Sequence, residues 1–175
     1  MAIELSEAYA FCPRCGAAKQ PNQPSRPFRC HGCGYTVFFG PVAAVGGIVV
    51  NEQGKVLLLV RARDPGKGLL GMPGGFVDPE ESAEEALHRE VFEEVGVKIT
   101  NTRFLMTAPN RYLYQGVQIP VVDLFFIAHV SEKQEIAPEQ AEVAEWMWTD
   151  LTDEVLGKMA FKSNQIALER YRRSV

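Results

Sequence analysis

Apolar runs separated by turn residues predict the strands of a sheet in the middle of this chain. Residues 43–50 and 55–61 are apolar runs on either side of a turn at 51–54, and this pattern predicts a β-hairpin. Residues 102–107 and 121–130 predict two more strands. The second of these is a long apolar run, so we expect it near the centre of the sheet.

The end of the chain predicts a late strand and then an amphipathic helix. Acidic residues lead into the apolar segment 146–148, where we expect the strand. Residues 163–173 predict the helix, whose basic end suits the negative end of the helix dipole. The residues available to pack this helix are Ile166, Ala167, Leu168 and Tyr171.

Residues 75–97 predict a glycine-rich loop followed by a short helix. Ser82 is a plausible N-cap because Glu85 stands three residues later, as a capping box requires. A start at Asp78, with proline at the first helical position, is the alternative. Gly96 is expected to end the helix.

The apolar stripe of this helix continues with acids where a buried stripe would continue with Leu or Val. At about 100° per residue the stripe runs on to Glu90 and Glu94, with Glu93 at its edge. Carboxylates gathered on one face repel one another unless a divalent cation neutralises them, and oxygen ligands suit Mg²⁺ or Mn²⁺. The alternative is a solvated acidic helix end with Arg89 as a local partner. The apolar part of the stripe is Ala83, Ala86 and Leu87.

The chain has 175 residues, enough for one substantial domain and a small appendage. Its formal net charge of −4 argues against a general nucleic-acid-binding role, which favours a basic surface. No apolar run reaches the length of a membrane span, and the first residues do not form a secretory signal. We therefore expect a cytoplasmic protein with no membrane partner.

Four cysteines form two Cys-x-x-Cys-Gly pairs near the N-terminus. With fourteen residues between the pairs, the spacing predicts one tetrahedral structural Zn²⁺ site with no position left for water. Two disulfides, or a redox-active pair, are the alternatives. We place a zinc ribbon at residues 1–38 and a second domain at 39–175. The cysteines are Cys12, Cys15, Cys30 and Cys33.

A motif across the loop and helix resembles the signature of the Nudix hydrolase family at every position. The wider resemblance to the family covers residues 40–175. Leu70 stands near the place of the family's usual tryptophan. The resemblance implies an α/β fold, an α/β/α sandwich around a mixed sheet. It also implies Mg²⁺- or Mn²⁺-dependent hydrolysis of nucleoside diphosphates linked to another group. The motif residues are Gly75, Glu81, Arg89, Glu90, Val91, Glu93, Glu94, Gly96 and Val97.

By this resemblance the signature supplies the catalytic metal site. One of its glutamates, Glu90 in some members, serves instead as the base, and Arg89 orients the glutamates. The Gly75 carbonyl is a further candidate ligand and Glu81 a weaker one. The implied ligands are Glu90, Glu93 and Glu94.

Five residues outside the signature are further candidates. Glu142 is expected to supply an additional ligand or the general base, with a solvated acidic loop as the alternative. Arg61 and Arg63 could meet an anionic substrate or remain exposed charges. Tyr112 and Tyr114 could stack on a base or cover the sheet edge.

A four-cysteine ribbon ahead of a Nudix domain resembles the NADH pyrophosphatase branch, but its Ser-Gln-Pro-Trp array is absent after the signature. The implied substrates are therefore broader: ADP-ribose, NADH or an FAD-like compound. The alternative is a regulatory module that senses a nucleotide and uses the ribbon to bind RNA or protein. Dimerisation is common in the family, so a homodimer is also an expectation.

Overall fold

The computed structural model describes residues 2–21, 26–130 and 134–175. The chain forms two compact units: residues 1–42 with 111–120, and residues 43–110 with 121–175. The predicted domain boundary at residues 38 and 39 stays a prediction, and the grouping of 111–120 with the first unit was not anticipated. Among the described residues, no helix is long and apolar enough to cross a bilayer.

The first unit is built from very short elements around two cysteines. Phe28 is almost fully buried beside Cys12 and Cys30, and the ring of Tyr9 meets that of Phe39 edge-on at 4.8 Å. Strands β2 and β3 pair antiparallel, as expected for a small ribbon, and β1 pairs parallel to strand residues 117–118 of the same unit. The elements are β1 (Ile3–Glu4), α1 (Leu5–Ala8), β2 (Phe28–Arg29) and β3 (Thr36–Val37).

The second unit is organised around a sheet in which β4 lies between β8 and β5. Strand β5 also pairs antiparallel with β6 and with β9, so it is the central element of the pairing. The predicted hairpin is confirmed by the antiparallel pairing of Val50 with Val56. The strands are β4 (Val42–Val50), β5 (Val56–Arg61), β6 (Leu70–Gly71), β7 (Thr100–Tyr114), β8 (Val117–His129) and β9 (Val143–Thr149).

Strands β7 and β8 are longer than the sequence predicts. The sequence predicts strands at 102–107 and 121–130, but β7 continues to Tyr114 and β8 already starts at Val117. The two strands are joined by a tight turn at Gln115 and Gly116, whose φ angles are 47° and 81°. Two residues with positive φ match the twist of paired strands, so the hairpin needs no longer loop.

The long helix α2 begins and ends as predicted. Ser82 accepts a hydrogen bond from the Glu85 backbone N–H at 3.2 Å, and the Glu85 carboxylate accepts from the Ser82 N–H at 2.8 Å. This capping box excludes the alternative start at Asp78. Gly96 takes a φ of 73° and ends the helix, a conformation that glycine adopts without strain. The helices of this unit are α2 (Ala83–Val95), α3 (Asp153–Leu156) and α4 (Lys162–Arg172).

Alternate residues of the strands pack into two separate cores, one on each face of the sheet. Val49 and Leu57 pack with α2, whereas Ile48 and Leu58 pack with α3 and α4 on the opposite face. The predicted α/β/α sandwich is therefore confirmed. Ile166 is the exception on α4, because it is 39% exposed and does not join the core.

Candidate active site

Helix α2 carries Glu90 and Glu94 on the face that its buried residues occupy, as the helical wheel predicts. Val91 and Val95 are also fully buried and widen the apolar face beside these acids. Glu90 flanks this face with a side chain only 15% exposed, while the Glu93 side chain is 58% exposed. The helix therefore delivers Glu90 and Glu94 to the edge of the core and leaves Glu93 near solvent.

The glycine loop before α2 lies directly against these carboxylates. The Gly74 N–H donates to Glu94 Oε2 at 2.9 Å. A Cβ at Gly75 would lie 2.5 Å from the Glu90 carboxylate, so a side chain here would displace that carboxylate from its position. The Gly75 carbonyl accepts from the Val45 N–H at 2.8 Å, which leaves one lone pair, and its role as a ligand stays a prediction.

Arg89 joins several of the acids into one network. Its Nη2 donates to Glu81 Oε1 at 2.6 Å, and its Nη1 donates to Glu90 Oε1 at 2.8 Å and Glu93 Oε2 at 3.1 Å. Nη2 also donates to the Phe76 carbonyl. The hydrogen bond from Arg89 lowers the pKa of Glu81, and Glu81 in turn raises the pKa of Arg89. This geometry is what an orienting role for Arg89 requires.

The surroundings of Glu94 strongly disfavour its charged form. Burial raises its pKa to about 8; the Gly74 N–H and the Arg61 charge oppose this shift, whereas Glu90 and Glu142 add to it. Burial also raises the pKa of Glu90. Two partly buried carboxylates whose charges are disfavoured by burial and by neighbouring acids form a site that a divalent cation would stabilise.

Glu142 comes to this site from the residue before β9. Its charge raises the pKa of both Glu90 and Glu94, so it lies within electrostatic range of both. Its carboxylate pairs with Arg63 at 2.7 Å. Arg63, a predicted substrate residue, is thus occupied by an ion pair with Glu142, and the role of Glu142 at the signature glutamates stays a prediction.

Arg61 ends strand β5 on the same side of the site. Its Nε donates to the Pro65 carbonyl at 2.7 Å, and its guanidinium lies 5.1 Å from the centre of the Phe161 ring. The sequence did not identify Phe161. A possible signal was its place just before the C-terminal helix, but nothing in the local pattern connects it with a residue one hundred positions earlier.

The comparisons with known proteins agree with this geometry. Residues 40–169 match the NUDIX domain. The chain belongs to the Nudix family. The resemblance inferred from the signature is therefore confirmed.

Two curated relatives illustrate the range of the family near this chain. The NAD-capped RNA hydrolase NudC of Deinococcus radiodurans is 30% identical over 155 residues, which cover 86% of this chain and 52% of that protein. The ADP-ribose pyrophosphatase of Methanocaldococcus jannaschii is 34% identical over 134 residues, which cover 75% of this chain and 74% of that protein. The chain spans about half the length of the NudC relatives that it matches.

Solved Nudix structures share the fold. The NUDIX domain of Shewanella oneidensis NrtR, complexed with ADP ribose, superposes with a TM-score of 0.64 at 28% identity, covering 78% of this chain and 90% of that one. A NUDIX hydrolase from Nitrosomonas europaea superposes with a TM-score of 0.70 over 94% of this chain and 90% of that one, at 24% identity. The second likeness concerns the fold alone.

The predicted base-stacking tyrosines, Tyr112 and Tyr114, lie at the end of strand β7. This end of the strand groups with the first unit, and Tyr114 is 55% exposed. Their stacking role stays a prediction.

The four cysteines form a second cluster, ahead of the Nudix match. Their sulfurs all lie within 4.8 Å of one another. Cys12 and Cys33 are 3.8 Å apart and Cys15 and Cys30 are 3.5 Å apart, far longer than a disulfide bond of about 2.05 Å. A tetrahedron with Zn–S bonds of about 2.3 Å has edges of about 3.8 Å. The cluster thus fits the predicted zinc site and not the disulfide alternative.

Hydrogen bonding acts in opposite directions within this cluster, because the neighbouring sulfurs raise the pKa of the Cys15 thiol against the effect of a backbone hydrogen bond at Ala17. The backbone N–H of Cys33 lowers the pKa of the Cys30 thiol, and the Gly32 N–H acts in the same direction. Within residues 2–21, 26–130 and 134–175, these four cysteines are the one group of three or more ligand side chains drawn this close together. The Nudix glutamates are more widely spread.

Proposed function

We propose that the chain is a Mg²⁺- or Mn²⁺-dependent pyrophosphohydrolase that cleaves a nucleoside diphosphate linked to another group, such as ADP-ribose, NADH or FAD. The observation that carries the proposal is the pair Glu90 and Glu94, partly buried against the glycine loop. Within the described residues, Glu94 accepts from the Gly74 N–H and from no basic side chain. Relatives described as an NAD-capped RNA hydrolase and an ADP-ribose pyrophosphatase support the substrate class.

The donor set fits a hard divalent cation, because its side-chain donors are carboxylate oxygens and burial disfavours their bare charges. The residues that would hold the cation are Glu90, Glu93 and Glu94, with Gly75 and Glu81 as further candidates. When bound, Mg²⁺ or Mn²⁺ supplies positive charge to the phosphoryl oxygens and activates the attacking water.

The remaining residues position these groups or handle the proton. Arg89 fixes the rotamers of Glu81, Glu90 and Glu93 through four hydrogen bonds. Glu142, whose charge acts on both Glu90 and Glu94, is the candidate for an additional ligand or for the base that accepts the proton of the attacking water. Arg61 contributes a positive charge at the same site.

The proposal assigns a structural role to the ribbon. The four cysteines hold Zn²⁺ in a closed shell, and residues 1–38 form the zinc domain ahead of a Nudix domain at 39–175. A cytoplasmic location and a homodimer are further parts of the proposal.

A substrate panel tests the enzymatic proposal directly. Wild-type protein is incubated with Mg²⁺ or Mn²⁺ and with ADP-ribose, NADH, FAD and NAD-capped RNA, and release of nucleoside monophosphate is measured by chromatography. Reaction in ¹⁸O-labelled water, followed by mass spectrometry of the products, shows which phosphorus is attacked. Glu154→Gln is a matched control, since Glu154 is an exposed acid paired with Lys158 in α3.

Turnover of at least one compound, lost in Glu94→Gln and retained in Glu154→Gln, is the expected result. Binding of ADP-ribose with no turnover of any compound would instead favour the nucleotide-sensing alternative. Equal turnover by wild type and Glu94→Gln would remove the metal-site assignment.

A further inference from the structure

Arg61 is held by hydrogen bonds of both its backbone and its side chain. Its backbone N–H donates to the Leu69 carbonyl at 3.0 Å, and its carbonyl accepts from the Gly68 N–H at 2.9 Å, so the strand end closes the loop that follows it. Its Nε donates to the Pro65 carbonyl at 2.7 Å. The guanidinium is therefore held in a single orientation by groups of its own loop.

The terminal nitrogens of this guanidinium remain available. Within the described parts of the chain, Nε is the nitrogen of Arg61 that has a protein acceptor, and neither Nη atom has one. The charge of Arg61 still reaches Glu94, where it opposes the effect of burial. Strand pairing places Arg61 opposite Val143, the residue after Glu142. A half-buried guanidinium with two unused NH₂ groups at this position is suited to bidentate contact with a phosphate.

The ring of Phe161 covers the guanidinium from the other side. Arginine over an aromatic face within about 6 Å is a favourable cation–π pair, and here the distance is 5.1 Å. Because the guanidinium covers this face of the ring, that face is not open to a nucleobase. Phe161 therefore acts on Arg61 and not as a stacking surface of its own on this side.

The position of Phe161 is itself determined by tertiary contacts on both sides. On the N-terminal side, the Ala160 N–H donates to the Leu70 carbonyl at 2.8 Å, which ties the segment to strand β6. On the C-terminal side, the buried Ser163 hydroxyl donates to the buried Asp123 carboxylate at 2.5 Å. Phe161 is thus a rigid support and not a mobile surface ring.

We propose that Phe161 is a positioning residue that, with the Pro65 carbonyl, holds Arg61 as a preformed clamp for the diphosphate of the substrate. This inference rests on the proposed function, because it requires a diphosphate ligand at the carboxylate site. A guanidinium already ordered in the free protein loses less conformational freedom on binding, so the support increases affinity without touching the ligand.

A double-mutant cycle tests this clamp by binding alone. The probe is α,β-methylene-ADP, a diphosphate that cannot be hydrolysed between its phosphorus atoms, titrated by calorimetry in Mg²⁺. The variants are Phe161→Leu, Phe161→Tyr, Arg61→Ala and the double variant Phe161→Leu/Arg61→Ala. Phe104→Leu is the matched control, because Phe104 is a half-exposed aromatic that packs edge-on against Phe126 in the same unit.

We expect Phe161→Leu to weaken binding of the probe about fivefold and Arg61→Ala about 100-fold. Phe161→Tyr keeps the ring and is expected to bind as wild type does. In the Arg61→Ala background, Phe161→Leu should have no further effect. With ADP-ribose as substrate, Phe161→Leu should raise KM about fivefold and change kcat by less than about twofold.

Three results would overturn the clamp. The first is that Phe161→Leu weakens binding of the probe equally in the wild-type and in the Arg61→Ala background, which would mean that the ring acts directly on the ligand or on the fold. The second is unchanged binding by Phe161→Leu with an unchanged Tm, and the third is a wild-type protein that does not bind the probe. A protein that turns over no substrate of the panel, but in which Phe161 and Arg61 remain coupled in binding of the probe, would contradict the proposed function and leave the clamp in place.

Discussion

The four cysteines and the signature glutamates are both candidate metal sites, but the chain builds them in opposite ways. The cysteine sulfurs lie within 4.8 Å of one another and face inward, with Cys12 and Cys30 buried in the small core of their unit. The carboxylates are spread along the end of α2 and are held by Arg89, Gly74 and the loop around them. One site is closed and the other is open.

The difference follows from what each unit needs in order to fold. The ribbon has two-residue strands and a core of few side chains, too little apolar burial for a unit of this size without a metal. Helix α2 instead has a complete capping box and four buried residues, Ala86, Leu87, Val91 and Val95, so it forms without a cation. A structural site is thus part of the core, whereas a catalytic site is added to a fold that is already stable.

The largest effect is expected from breaking the closed site. Cys30→Ser should remove zinc and unfold the ribbon, since a structural Zn²⁺ contributes about 10–16 kcal/mol in small zinc modules. The second unit should keep its own cooperative thermal transition. Zinc content by mass spectrometry and amide NMR spectra measure the two effects.

His31→Ala is the matched control for this variant, because His31 lies between Cys30 and Cys33 but is exposed. It should retain one zinc per chain. Full zinc content in Cys30→Ser would show that the cluster does not need all four sulfurs.

The second largest effect is expected at the open site, and it should affect rate and stability in opposite directions. Glu94→Gln should lower kcat about 100- to 1000-fold, the range for loss of one preorganised electrostatic group. In EDTA, its Tm should exceed that of wild type by a few degrees, because burial penalises the Glu94 charge and the amide still accepts from Gly74. Differential scanning fluorimetry measures this, and a lower Tm would contradict the assignment of Glu94 as an uncompensated buried acid.

The local features around both sites could be predicted from the sequence because their signals are local. The Cys-x-x-Cys-Gly pairs, the Ser82 and Glu85 capping box and the Gly96 stop each depend on residues within a few positions. The wheel of α2 was incomplete. It placed Glu90 and Glu94 on the core face but did not include Val91 and Val95, which are fully buried, because packing decides how wide the buried face is.

The parts that the sequence could not predict depend on long-range pairing. Strand β6 has two residues inside a glycine-rich loop, too few to give an apolar period, yet it ties the segment before Phe161 to the loop of Arg61. The continuation of β7 to Tyr114 was also missed. Its outer residues are mostly exposed, so they lack the apolar alternation that marks a half-buried strand.

A smaller effect is expected from the acid that Arg89 holds most closely. Glu81→Gln should lower kcat about tenfold, as loss of a group that orients metal ligands typically does, and leave Mg²⁺ affinity nearly unchanged. Arg89 lowers the pKa of Glu81 in the folded state, so the stabilisation is present above the ordinary carboxyl pKa of about 4.3 and is lost as pH falls through the lowered value.

The Tm difference between wild type and Glu81→Gln should therefore be largest near pH 6 and shrink toward pH 3. Thermal melts at several pH values, with Glu84→Gln as the exposed control in the first turn of α2, measure this trend. A large loss of Mg²⁺ affinity in Glu81→Gln would instead identify Glu81 as a metal ligand.

The smallest effect is expected from Arg63→Met, and it decides between two roles for this residue. Arg63 is 57% exposed and pairs with Glu142 at 2.7 Å, and ion pairs this exposed contribute about 0–1 kcal/mol. If the pair is its main role, Tm should change by at most about 2 °C and KM by about twofold, because Glu142 stays on its own strand end. The control is Arg103→Met, an exposed arginine on β7. A KM for ADP-ribose raised tenfold or more, with kcat unchanged, would show that Arg63 leaves Glu142 to bind the substrate. Two arginines would then bind the substrate at the open site: Arg61, which is already oriented in the free protein, and Arg63, which moves when the substrate binds.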